Sequence, residues 1–429
     1  MTEAAESDQP TADYPVLARP ADGIPDVIAD ERALRRAADA IGAADGPVAL
    51  DAERAAGYRY GGRAYLVQLR RAGAGSFLID PVALPDLTPV QDAIGDAEWV
   101  LHAATQDLPC LTELGMHPHT LFDTELGSRL AGLPRVGLAA VVEHYLGITL
   151  AKEHSAVDWS TRPLPEPWLT YAALDVEVLV EVRDRLRADL EQQGKLDWAL
   201  QDFSALTSFT GPPPRTDPWR RTSGMHRIRD KRAIARVREL WLTRDAIAQE
   251  HDTAPGRILP DATIVELANT APRDLEGVRK ASATLRGASR SRLRIAERGL
   301  GRYADRWLDA INRVAAMSTG ELPPATIRSD APPPQRAWAD RNPEAAARLG
   351  FVREELGAFA EEHHVPLENL ITPDTLRRVL WTPPEPFDDN GIRARLAELG
   401  ARRWQIDLAA PLILRAPTEL PAEPPATDE

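Results

Sequence analysis

The sequence predicts an α/β domain, a mixed sheet flanked by helices, followed by two small all-α helical domains. Three observations carry this. Short apolar runs of strand character, Val48–Leu50, Arg63–Arg70, Ser76–Asp80 and Glu98–Ala103, crowd one region. Beyond the Pro-rich stretch Gly211–Arg215 the apolar residues recur at helical spacing. A second Pro-rich stretch, Gly320–Gln335, divides that helical part in two. The expected organisation is a tail over 1–20, the α/β domain over 21–210, a linker over 211–222 and a helical domain over 223–310. A linker over 311–336, a second helical domain over 337–415 and a tail over 416–429 complete it.

The elements follow in order. Leu34, Ala37, Ala38 and Ile41 recur at three- and four-residue intervals, which predicts a helix over Ala29–Ala43. Val48–Leu50, entered from Gly46-Pro47, reads as a buried strand, and Gly73–Gly75 as the turn between the next two. Phe122–Thr124 caps a helix carrying Leu126, Leu130 and Leu133, and Val136–Leu146 is another helix. Lys152–Leu164 is polar and aperiodic, with an exposed-looking Trp159 beside Asp158 and Arg162. Pro165 to about Leu200 reads as a long helical region. Ile228–Ala248, Asp261–Asn269, Pro272–Val278 and Arg292–Ala310 read as helices of the first helical domain, and 337–414 as those of the second.

The bulk properties narrow the class. The chain has 429 residues, 43% hydrophobic and 27% charged, as a soluble globular protein of several domains does. No apolar run approaches the ~18 residues of a membrane span, and the N-terminus lacks a secretory pattern, so a cytoplasmic protein without membrane partners is expected. The single cysteine, Cys110, excludes a disulfide framework and sits among leucines as a core residue does. Net charge is −14, yet residues 215–310 hold 21 Lys and Arg against 13 Asp and Glu. A basic block in an acidic chain points to one part that grips a polyanion. Arg286–Arg302, with Arg290, Arg292 and Arg294, is the candidate phosphate-contacting surface, and it predicts salt-sensitive binding.

Chemistry is suggested by the acids. Asp51 and Glu53 end the 48–53 strand two residues apart, so both project from one face. Two buried like charges repel unless a cation lies between them, and hard divalent ions take such oxygen ligands. Asp107 opens a helix after another strand, where sites in α/β folds gather. Tyr171 and Asp175 are one helical turn apart. Each feature alone is ordinary: a solvated strand end, a helix-dipole acid, a chance pair. Together the four carboxylates can converge on two divalent ions roughly 3.5–4 Å apart, the arrangement for in-line phosphoryl displacement. Tyr171 would orient or help deprotonate the attacking water.

With these residues in order, the chain resembles the ribonuclease D family of the DEDD superfamily of 3′-5′ exonucleases. Asp51-Ala52-Glu53 matches the first motif, His102 to Asp107 the second, and Tyr171 to Asp175 the third. Thr170 stands where the histidine-type branch has His, so the resemblance is to the tyrosine-type branch. Ala52 and Ala103 depart from the residues common at their positions. Lys152, Asp158-Trp159 and Arg162-Pro163-Leu164 match the segment before the third motif. Residues 225–305 resemble a helicase-and-RNase-D C-terminal (HRDC) domain through Trp241, Ile258–Asp261 and Leu267-Ala268. Residues 337–414 look like the second helical module of that family, with Ile371–Asp374 echoing Leu259–Asp261.

The resemblance implies a ribonuclease-H-like fold and removal of nucleotides from RNA 3′ ends, including structured and transfer RNA precursors. Nucleoside 5′-monophosphates would be released with two Mg²⁺ or Mn²⁺ ions. Asp51, Glu53, Asp107 and Asp175 would be the metal ligands. Tyr171 would be catalytic with them, and Lys152, Trp159 and Arg162 would contact substrate. Two rival readings are the same site acting on DNA 3′ ends, and a non-catalytic RNA-binding scaffold, which the complete acid set disfavours.

Overall fold

The structure, a computed structural model, describes residues 14–151, 154, 156–284, 289–326 and 330–417. The expected tails over 1–13 and 418–429, and Lys152 and Arg286, lie outside the described residues. The α/β domain is built on a six-stranded mixed sheet of order β2-β5-β4-β3-β6-β7. Its strands are β2 (Val27–Ile28), β3 (Val48–Arg54), β4 (Ala64–Arg71), β5 (Gly75–Ile79), β6 (Glu98–Leu101) and β7 (Thr120–Asp123). β3 lies inside the sheet, antiparallel to β4 and parallel to β6.

Strand periodicity divides β3 between two cores. Val48, Leu50 and Ala52 join the main core with Leu34 and Ile41 of α1 (Glu31–Gly42) and Val90 and Ile94 of α2 (Thr88–Ile94). Ala49 faces the other way, toward Val176 and Leu179. Residues of β3 that share the face of Ala49 therefore lie under α6 (Glu166–Glu177) and α7 (Leu179–Gln192). Between β6 and α6 come α3 (Leu108–Glu113), α4 (Thr124–Ala131) and α5 (Leu138–Leu146), and α8 (Leu196–Leu206) follows α7.

Several expectations need correction. The tail expected over 1–20 is structured from Tyr14: β1 (Val16–Leu17) pairs in parallel with β8 (Thr149–Leu150), and the Ala21 amide donates to Glu177. The helical region expected over 165–200 is three helices, interrupted at Val178 and around Gly194, where φ is +69°. The strand expected over Glu98–Ala103 stops at Leu101, since Ala103 adopts a left-handed conformation. Two short strands, β2 and β7, lacked alternation long enough to read.

The middle helical domain comprises α9 (Lys231–Glu250), α10 (Pro255–Ile258), α11 (Asp261–Thr270), α12 (Leu275–Lys280), α13 (Arg290–Arg302) and α14 (Ala304–Ala316). Its core reaches into both expected linkers: Trp219 is buried with Val237 and Trp307, and Ile311 and Val314 are buried on α14. The β3–β4 loop docks on this domain. The Ala254 amide donates to the Tyr58 carbonyl (3.0 Å), the Tyr60 hydroxyl reaches Asp245 (3.2 Å), and Arg63 pairs with Asp252 (2.9 Å).

The C-terminal helices are α15 (Trp338–Arg341), α16 (Pro343–His363), α17 (Leu367–Leu370), α18 (Pro373–Trp381), α19 (Asp389–Glu398) and α20 (Arg403–Arg415). They share one continuous core with the α/β domain, and Ala416, expected in the tail, is buried there. Trp198 of α8 stacks on Trp404 of α20 at 4.9 Å. The buried Lys195 donates to the Leu130 and His363 carbonyls, tying the two domains. No helix among the described residues is long and apolar enough to cross a membrane.

Candidate active site

The acids meet because strand period and helix packing agree. Asp51 and Glu53 share the face of Ala49, and α6 lies across that face with Asp175 directed at them. One oxygen from each of Asp51, Glu53 and Asp175 falls within 4.8 Å of the others. Glu53 and Asp175 are buried, and Asp51 is half-buried. Tyr171, one turn before Asp175 on α6, hydrogen bonds to it. Asp107 stands outside this three-oxygen group but lines the same cavity of about 440 Å³ with Tyr171 and His102.

Asp107 reaches the cavity through a short 3₁₀ turn, Ala104–Gln106, between β6 and α3. The turn is held by Asp123, at the end of β7. Its carboxylate accepts from the Ala103 and Ala104 amides (3.0 and 2.9 Å) as well as capping α4 through the Glu125 and Leu126 amides. Sequence reading found the cap but not the staple, because the partner amides lie 19 and 20 residues away. His102 is held at 2.8 Å from the Thr124 hydroxyl, and burial pushes its imidazole down to about 4, so it is neutral.

Two further residues were missed, Gln68 and Arg54. Gln68, buried on β4 directly opposite Asp51, donates to its Oδ2 at 3.2 Å. Arg54 should face away from Glu53 by simple alternation. The β3–β4 register shifts between Glu53 and Arg54, with Tyr65 of β4 left unpaired, and Arg54 lines the acid cavity. Its guanidinium lies 3.6 Å from Asp107 and donates to Gln106 at 3.3 Å.

The electrostatics are those of a cation site. Burial pushes Glu53 up to about 10, and Asp51, Asp175 and Asp107 add to the rise. Burial also raises Asp51 and Asp107, with Arg54 opposing in both. The Tyr171 phenol is raised by burial and then by Asp175 and Glu53. Buried oxygen ligands that destabilise one another's charge fit a hard divalent cation, which removes both penalties. Cys110, expected in the core, is buried there, and burial pushes its thiol up to about 12.

The expected substrate contacts fare differently. Trp159 is fully buried, 5.5 Å from Trp168 and 6.3 Å from Tyr171, so it supports α6 and offers no surface to a ligand. Arg162 is engaged in the fold: Nε and Nη2 donate to the two Asp80 oxygens (2.7 and 2.8 Å), and its guanidinium also caps the Tyr65 and Trp159 carbonyls. Lys152 lies outside the described residues. Arg290, Arg292 and Arg294 are exposed on α13 of the middle domain.

Similarity to known proteins agrees with this architecture. Residues 25–191 match the family model for a 3′-5′ exonuclease, 233–311 that for an HRDC domain, and 331–416 that for a 3′ to 5′ exonuclease C-terminal domain. Ribonuclease D of Gluconacetobacter diazotrophicus is 32% identical over 347 residues, 79% of this chain and 82% of that protein. Ribonuclease D of Granulibacter bethesdensis is 30% identical over 310 residues, 70% and 72% of the two chains. A crystal structure of a protein from Bifidobacterium adolescentis, 41% identical, superposes with a TM-score of 0.83, covering 94% of this chain and 99% of that one. Escherichia coli RNase D, 24% identical, shares the fold with a TM-score of 0.62 over 87% of this chain and 98% of its own. With the acid set on a mixed sheet, the HRDC domain and relatives matched over most of their length, the chain belongs to the ribonuclease D family of 3′-5′ exonucleases.

Proposed function

We propose that the protein hydrolyses RNA from the 3′ end, one nucleotide at a time, releasing nucleoside 5′-monophosphates in the processing or turnover of structured RNAs such as transfer RNA precursors. The observation that carries this reading is the convergence of Asp51, Glu53 and Asp175 within 4.8 Å on a cavity shared with Asp107 and Tyr171. RNA as substrate is supported by the relatives, which are named ribonuclease D, and by the fold shared with an E. coli exoribonuclease involved in structured RNA processing.

Asp51, Glu53, Asp107 and Asp175 would hold two divalent ions, Mg²⁺ or Mn²⁺. Such ions supply an activated water and charge neutralisation at the leaving 3′ oxygen. The side chains around them set the geometry. Gln68 fixes the Asp51 carboxylate, and Asp123 fixes the turn that presents Asp107. Tyr171, beside Asp175 on α6, would orient the attacking water or help deprotonate it. Arg54 presents positive charge where the scissile phosphate must approach four acids. Arg290, Arg292 and Arg294 would meet phosphates further from the site.

The test is digestion of 3′- and 5′-labelled single-stranded RNA, with matched DNA, in Mg²⁺ or Mn²⁺, beside Asp175→Ala. Stepwise shortening from the 3′ end, abolished by EDTA and reduced about a thousandfold or more in the variant, is expected. Cleavage that survives in Asp175→Ala would place the site elsewhere, and preferred degradation of DNA would overturn the substrate assignment.

A further inference from the structure

We propose a second binding site, an arginine-lined cleft between the exonuclease and HRDC domains, that grips the phosphodiester backbone of the substrate strand upstream of the scissile bond. The inference rests on the 3′-exonuclease reading and extends it to a place where the strand is held.

The cleft has a volume of about 510 Å³ and is lined by Tyr58 and Arg59 of the β3–β4 loop, Arg257 of α10, and Arg298, Arg302 and Tyr303 at the end of α13. Its size is that of a ligand site, roughly 300–1,000 Å³. Four guanidinium groups face one space. Asp158 is the one acid among the lining residues, and its Oδ1 already accepts from the Ser160 amide and hydroxyl. Arg257 is held in place, lying 4.1 Å over the Tyr58 ring with Nε donating to the Gly57 carbonyl at 2.6 Å. Arg59 donates to the Ser160 hydroxyl at 2.7 Å and reaches Asp252 only at 3.9 Å. Arg298 and Arg302 are exposed and have no carboxylate partner among the described residues. Like charges gathered this way are costly unless an anion answers them, and a chain of net charge −14 needs such a track to attract a polyanion at all.

The cleft is joined to the acids by a short piece of chain. Arg54 and Ala56 line the acid cavity, while Tyr58 and Arg59 line the cleft. The segment is a tight turn, in which the Tyr58 and Arg59 amides both donate to the Ala55 carbonyl (2.9 and 3.0 Å). The same loop is bonded to the HRDC domain through Ala254 and Asp252, so the two sites are in fixed register. On α13, Gly299 packs directly against the Ile258 carbonyl, where a Cβ would collide. That contact brings Arg298 and Arg302 to the rim. The spacing of Arg290, Arg294, Arg298 and Arg302, one every four residues, continues the basic stripe away from the cleft.

The test uses the full-length protein with Arg298→Ala/Arg302→Ala, the charge-retaining Arg298→Lys/Arg302→Lys, and Arg290→Ala/Arg292→Ala/Arg294→Ala for contrast. Binding of a 5′-labelled strand of about 16 nucleotides, RNA or DNA, is read by anisotropy across salt in the Asp175→Asn background. Hydrolysis of that strand and of a dinucleotide is compared in the active background. The Ala pair is expected to weaken strand binding about tenfold and to lower the salt slope by about 0.7 per lost contact, roughly 1.4 in all. Its kcat/KM for the strand should fall about tenfold relative to that for the dinucleotide, and the Lys pair should restore most of both. Unchanged strand binding and salt slope in the Ala pair, or equal losses on strand and dinucleotide, would overturn the cleft. Failure of unmutated protein to shorten either substrate would instead overturn the exonuclease reading, with the anisotropy still deciding the cleft.

Discussion

Arg54 and Ala103 both sit where regular structure is interrupted, at a register shift of the sheet and at a left-handed turn. Arg54 sits where the β3–β4 register shifts, and among the described residues its guanidinium is the one cation paired with Asp107. Removing it leaves the acids with a more negative potential, worth about 1 kcal/mol at a partly solvated site. Arg54→Ala is therefore expected to bind Mn²⁺ about fivefold more tightly in calorimetry while its kcat/KM on RNA falls; unchanged metal affinity would show that Arg54 does not sense the cation site. Ala103 has φ +61°, a conformation that costs an L-residue about 1 kcal/mol and glycine almost nothing. Ala103→Gly should raise thermal stability by about that amount, and Asn, which also tolerates this region, should raise it less. A lower Tm for Ala103→Gly would mean the methyl group makes contacts that outweigh the strain.

At the scale of elements, the 156–164 segment shows how the reading of a polar stretch can invert. Its polar residues and an exposed-looking Trp159, with the family resemblance, suggested substrate contacts, yet Trp159 is buried against α6 and Arg162 pairs with the buried Asp80 just past β5. The segment clamps the helix that carries Tyr171 and Asp175 onto the sheet. Breaking a pair of this kind leaves one charge poorly solvated and costs about 2 kcal/mol or more. Arg162→Ala should lower Tm and depress kcat through α6, with KM for RNA little changed. A large rise in KM with full stability would restore Arg162 as a substrate contact. β7 shows the reverse case: four residues with no clear alternation form an edge strand because Leu121 and Phe122 fill the main core.

Across the whole molecule, the exonuclease domain is held from two sides by different means. The HRDC domain grips the β3–β4 loop through polar contacts, whereas the C-terminal helices merge with its hydrophobic core. Within that second interface burial pushes Asp202 up to about 6, although Arg402 at 3.2 Å opposes the rise. A carboxyl raised in the folded state lends stability that is full below its unfolded pKa and is lost as pH rises through about 6. The Tm of Asp202→Asn minus that of unmutated protein should thus increase from about pH 5 to about pH 7. A difference that stays constant over this range would show that Asp202 does not titrate there.

The sequence by itself determined the fold class, the face shared by Asp51 and Glu53, and the one-turn spacing of Tyr171 and Asp175. These follow from the two-residue period of strands and the 3.6-residue period of helices, which are local properties of the chain. Only the tertiary structure decided which way Arg54 points, at the place where the β3–β4 register shifts. It alone decided that Gln68 holds Asp51, that Asp123 staples the turn before Asp107, and that Trp159 and Arg162 belong to the interior. Each of these depends on partners brought together by packing across long stretches of chain, and neither local spacing nor composition records where such partners lie.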